Sequence, residues 1–71
     1  MYAVVIEHDP ENGSYAATSP DFDGVVVGIG KSEDEAVERF RNALSGHIEF
    51  LREHGFNVPA PRYTVTTVPA A

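Results

Sequence analysis

The chain has 71 residues, eleven Asp and Glu against five Lys and Arg, and no cysteine. That length makes one domain with a small stability margin; without cysteine there are no disulfides, thiolate metal sites or cysteine nucleophiles, as befits a reducing cytoplasm. The net charge of −6 argues against direct nucleic-acid binding, because phosphates would be repelled, and the first apolar run stops at Glu7, too soon for a signal peptide or a membrane span.

Tyr2 to Ile6 alternates Tyr2, Val4 and Ile6 with Ala3 and Val5, so both faces are apolar and a central strand is predicted. Asp9-Pro10-Glu11-Asn12-Gly13 is dense in turn formers and leads as a hairpin into a second strand, Ser14 to Thr18. Ser19-Pro20-Asp21-Phe22-Asp23-Gly24 makes the next turn, and Val25 to Ile29 the third strand of an antiparallel meander.

Gly24-Val25-Val26-Val27-Gly28-Ile29-Gly30-Lys31-Ser32 has the look of a phosphate loop, but that loop needs a glycine where Val25 stands. A dinucleotide fingerprint would need a third glycine where Glu33 stands. Glu33, Asp34 and Glu35 would also repel a phosphate at the helix start. The same residues instead make a capping box, with Ser32 as the cap and Glu35 reaching back. Ala36, Val37, Phe40, Ala43, Leu44, Ile48 and Leu51 recur at helical spacing and give one apolar stripe to lay on the sheet. Gly55 ends the helix, Val58-Pro59-Ala60-Pro61 cannot continue it, and Tyr63 to Val68 is rich in β formers.

The reading is an α+β domain of order β-β-β-α-β over residues 1–68, with a frayed tail at 69–71 and no separate DNA-binding domain. A single helix covers only one sheet face, so a homo-oligomer, dimer or tetramer, is expected, through an edge strand such as the last one. His47 and His54 lie two helical turns apart, too far for one metal ion, and no cofactor is expected. Glu7 and Asp9 could pair with Asp21 or Asp23 around magnesium, as in a metal-dependent nuclease, but acids in turns commonly serve local hydrogen bonding. Residues 1–30 hold five acids and no Lys or Arg, which suits a basic protein partner. Asp21, Phe22 and Asp23, an aromatic between two acids on a Pro/Gly-framed turn, are the candidate partner contacts, with Glu7 and Asp9 contributing charge. Phe22 could alternatively plug the core edge.

In the order and spacing of these residues the chain resembles the HicB-like antitoxin domain family: Tyr2 to Glu7, Gly13, Tyr15 to Ala17, Pro20 to Gly24, Gly30-Lys31-Ser32, Glu35-Ala36, Ala43, His47, Gly55 and Pro59-Ala60-Pro61. Between Gly24 and Gly30 it carries five residues, one more than the commoner family pattern, which a β-bulge can absorb. The resemblance implies a partly eroded ribonuclease-H-like fold without its catalytic carboxylates, hence no enzymatic activity. It also implies a cytoplasmic antitoxin that occludes a small basic HicA-type mRNA-cleaving toxin. The family's added DNA-binding module, and with it autoregulation, is not carried over. The alternative function is a solitary oligomeric binding module.

Overall fold

A computed structural model of the chain describes residues 1–70. It contains strands β1 (Val5–Asp9), β2 (Ser14–Thr18) and β3 (Val27–Gly30), a short 3-10 helix at Pro20–Phe22 between β2 and β3, and a long helix α1 (Glu33–Glu53). The sheet is antiparallel in the order β1-β2-β3. The α+β meander with one long helix is therefore as expected, with two differences in detail.

The first strand is an edge strand, with β2 in the centre. Pairing begins at Val5, which faces Thr18. Residues 2–4 continue the line of β1 without a partner strand because β2 ends at Thr18, ahead of Ser19-Pro20, where proline has no N–H to donate and the chain turns into the 3-10 helix. The apolar character of both faces reflects a helix on one side and a bare surface on the other.

The second difference is the predicted fourth strand. Tyr63 to Val68 pairs with no strand among the described residues and is exposed throughout. A β-forming sequence becomes a strand only against an edge that completes its hydrogen bonds.

The hairpin forms where Asn12-Gly13 placed it. Gly13 takes φ 67° and donates to the Asp9 carbonyl at 3.0 Å, while the Asp9 carboxylate accepts from the Glu11 N–H at 3.0 Å. At the helix start, Ser32 Oγ accepts from the Glu35 N–H at 3.1 Å, as the capping box predicts. The reciprocal bond is shifted by one residue, since Glu35 Oε1 accepts from the Lys31 N–H at 2.8 Å rather than from the cap residue itself.

Register sorts the sheet residues into two faces. Ile6, Ala17 and Gly28 stand opposite one another, as do His8, Tyr15 and Gly30, and these face α1. The core between the layers is Ala17, Phe22, Val26, Ala36 and Phe40, flanked by half-buried Tyr2, Val4, Ile6, Tyr15, Val37, Leu44, Ile48 and Leu51. Ala43, counted in the predicted stripe, is exposed. Val5, Thr18 and Val27, with Glu7, Ala16 and Ile29, form the opposite face.

Candidate functional site

The turn between β2 and β3 is built inward. Buried Ser19 caps the 3-10 helix by accepting from the Asp21 N–H at 3.2 Å. The Asp21 carboxylate then accepts two backbone N–H groups from distant parts of the chain, Ala3 at 2.9 Å and Arg62 at 2.8 Å. It stands where a continued β2 would have offered carbonyls, and so ties the N-terminal segment and the C-terminal tail to one residue. Burial pushes this carboxyl up, but the N–H groups of Ala3, Arg62 and Tyr63, together with the Arg62 charge, outweigh it and hold the group below the usual aspartate range.

Phe22 is 4% exposed and Asp21 6%. The Phe22 ring meets Tyr2 edge-on at 4.7 Å between centroids and His47 at 5.8 Å. These two side chains, expected on the partner-contact surface, are internal to the fold: one fills the core and the other fastens the chain ends. The turn needs both inside, because Pro20 halts the ladder and the freed N–H of Ala3 must be satisfied. Asp23 is exposed at the tip, held at φ 54°, and Gly24 follows at φ 72°.

Glu7 and Asp9 are also exposed, but they do not join Asp23. Asp9 sits at the hairpin end, opposite Ser14, whereas Asp23 lies beyond the other end of β2. The length of β2, about 16 Å at ~3.3 Å per residue, separates Asp9 from that end, and Glu7 stands opposite Ala16 at the middle of the strand. Among the described residues, no three His, Asp or Glu side chains are grouped so as to hold a metal ion. No helix among them is long and apolar enough to cross a membrane.

Glu7 instead lies on the bare sheet face, in one row with Ala16 and Ile29. Val5, Val25, Val27 and Ile29 are exposed there, Val25 at 68% and Ile29 at 54%. The cause is the alternation Val26-Gly28-Gly30 against Val25-Val27-Ile29: small residues let the helix approach one face, and branched apolar residues are left on the other. Sequence reasoning anticipated a leftover face but named none of these residues; the alternation beside the two glycines was the available signal.

A meander with this buried Pro-Asp-Phe turn and a single covering helix is a specific arrangement. The family described as "HicB_like antitoxin of bacterial toxin-antitoxin system" matches residues 2–69. The chain belongs to the HicB-like antitoxin family. Its fold is similar to the crystal structure of the N-terminal domain of the Burkholderia pseudomallei antitoxin HicB, with 31% identity, 90% of this chain and 69% of that chain covered, and a TM-score of 0.68. No curated protein matches the chain. HicB-like antitoxins belong to toxin–antitoxin systems, so a toxin partner in general goes with the family. In this chain the stretch Pro20 to Gly24 encodes the Asp21 tie and the Phe22 plug, a structural role.

Proposed function

We propose that this HicB-like chain is a non-enzymatic, cytoplasmic, self-associating antitoxin that binds a small basic HicA-type toxin and covers its mRNA-cleaving site. The observation that carries the reading is the apolar sheet face Val5, Val25, Val27 and Ile29, left bare by the one helix, with exposed Glu7 and Asp9 on its edge strand and exposed Asp23 in the turn that leads to β3. An apolar centre with a charged rim is how protein interfaces are commonly organised. Acids around it attract a basic partner and set its orientation. Asp21 and Phe22 serve this surface from beneath, by holding Asp23 at the turn tip.

The test is calorimetry of the chain against a purified HicA-type toxin, with toxin-dependent RNA cleavage as the second readout. Ile29→Glu, at an exposed position, is expected to weaken binding at least tenfold, about 1.4 kcal/mol or more. Glu7→Lys with Asp23→Lys is expected to slow association mainly, as rim charges do. A folded chain that neither binds the toxin nor slows cleavage overturns the reading and leaves a solitary binding module.

A further inference from the structure

The hairpin end between β1 and β2 carries reactive groups that the toxin-facing surface does not use. Asn12 is followed by Gly13, which has no side chain to shield its backbone nitrogen, and both residues are exposed. An asparagine in that setting can react with its own backbone. The Gly13 nitrogen, once its proton is lost to solvent, attacks the Asn12 side-chain carbon Cγ. The bond from Cγ to the side-chain nitrogen breaks, ammonia leaves, and a succinimide ring remains. Water then adds to one of the two ring carbonyls and breaks its bond to nitrogen, leaving aspartate or isoaspartate. The balance is asparagine plus water giving the acid plus ammonia, with no oxidant or reductant.

The closed hairpin holds the reacting groups apart from this chemistry. The Gly13 N–H donates to the Asp9 carbonyl at 3.0 Å, so the nitrogen cannot lose its proton to water without giving up the bond that closes the turn. Asn12 Oδ1 accepts from the Ser14 N–H at 3.0 Å and from the Ser14 hydroxyl at 2.6 Å, which holds the carboxamide in place. The closure is shallow, because Asp9 and Ser14 are the last pair of the β1–β2 ladder and lie at its turn end, where ladders open most readily. The other two asparagines lack this setting. Asn42 lies inside α1, whose hydrogen bonds engage the nitrogen that follows it, and Asn57 precedes the branched side chain of Val58.

We infer that Asn12 is a self-modifying site, converted to aspartate or isoaspartate when the hairpin end opens and protected while it is closed. The inference goes beyond the proposed function and does not depend on toxin binding. Either product adds a carboxylate beside Asp9 and Glu11 in a chain of net charge −6. Isoaspartate also carries the main chain through Cγ, one carbon longer than before. Gly13 then no longer meets the Asp9 carbonyl, so the modified hairpin end stays open.

The experiment incubates the full chain at neutral pH in water enriched in oxygen-18, which marks the product by the solvent oxygen it gains, and maps the label by peptide mass spectrometry. Native wild type, wild type in urea and native Ser14→Ala are compared. Native wild type is expected to gain label at Asn12 and at neither Asn42 nor Asn57. Its rate should be roughly tenfold or more below that in urea, the protection given by an end open about a tenth of the time or less. Ser14→Ala removes one of the two bonds to Asn12 Oδ1 and is expected to react several-fold faster when native, with unchanged helical circular dichroism. The isoaspartyl fraction is expected to lose amide-exchange protection at Gly13 and keep it in α1. Equal rates in the native and urea-unfolded chains, no label at Asn12 while the chain in urea is converted, or label first at Asn42 or Asn57 overturns the gated site. A native Ser14→Ala chain that reacts at the wild-type rate or below overturns it as well, since a slower reaction makes the Ser14 hydroxyl a donor to the developing oxyanion instead of a restraint.

Discussion

At Asp21 one side chain does the work of a short ladder. Its two oxygens each accept a backbone N–H, from Ala3 and Arg62, and asparagine can offer only one oxygen and would turn an N–H group toward the other donor. Asp21→Asn is therefore expected to lower the melting temperature at neutral pH and to loosen the tail root, seen as faster amide exchange at Arg62. The pH dependence has a definite sign. Because the folded carboxyl titrates below its unfolded counterpart, the unfolded chain binds the proton more readily, and the stabilisation is complete above the unfolded pKa of ~3.9. It is lost as pH falls through the folded value. The melting temperatures of wild type and Asp21→Asn should converge between neutral pH and pH ~2.5; a constant gap would show that the charged form contributes nothing.

The contact between helix and sheet rests on two glycines of β3, which otherwise reads as a branched apolar strand. A Cβ on Gly28 would collide with the Phe40 N and the Ala36 carbonyl oxygen, and one on Gly30 would lie 2.8 Å from the Ala36 N. Gly46, on the exposed side of α1, has nothing within 4 Å of such an atom. The same substitution should thus act in opposite directions. Gly28→Ala is expected to cost about 1–3 kcal/mol by overpacking, and Gly46→Ala to add about 0.5–1 kcal/mol by helix propensity, both read from urea denaturation. This contrast also shows what sequence alone can convey. Asn12-Gly13, Ser32 with Glu35, the Ala36-to-Leu51 spacing and Gly55 act locally, and they place the turn, cap, buried face and stop, apart from exposed Ala43 in the stripe and the Glu35 bond that goes to Lys31. The edge position of β1 depends on where Pro20 stops its neighbour. The burial of Asp21 depends on N–H groups of residues 3 and 62, far apart in the chain, and local pattern does not contain either fact. Asp21 and Phe22 stand out in sequence as an acid and an aromatic side by side on a Pro/Gly-framed turn, and in the fold both are turned inward.

At the scale of the whole molecule, net charge makes the two proposed interfaces respond to salt with opposite signs. Self-association brings together chains of −6 each, so the electrostatic term is repulsive and screening relieves it. Toxin binding sets Glu7, Asp9 and Asp23 against a basic surface, so the term is attractive and screening weakens it. The Debye length shortens from about 30 Å at 10 mM salt to about 8 Å at physiological ionic strength, a span comparable with this molecule's shorter dimensions of 28 and 15 Å. Raising salt over that range should therefore tighten the dimer while slowing toxin association, with the toxin off-rate, governed by the apolar sheet face, changing least. Sedimentation equilibrium reads the first effect and stopped-flow binding the second. If both interfaces weaken together, the contacts between copies are themselves charge pairs, and net repulsion is not what sets the strength of self-association.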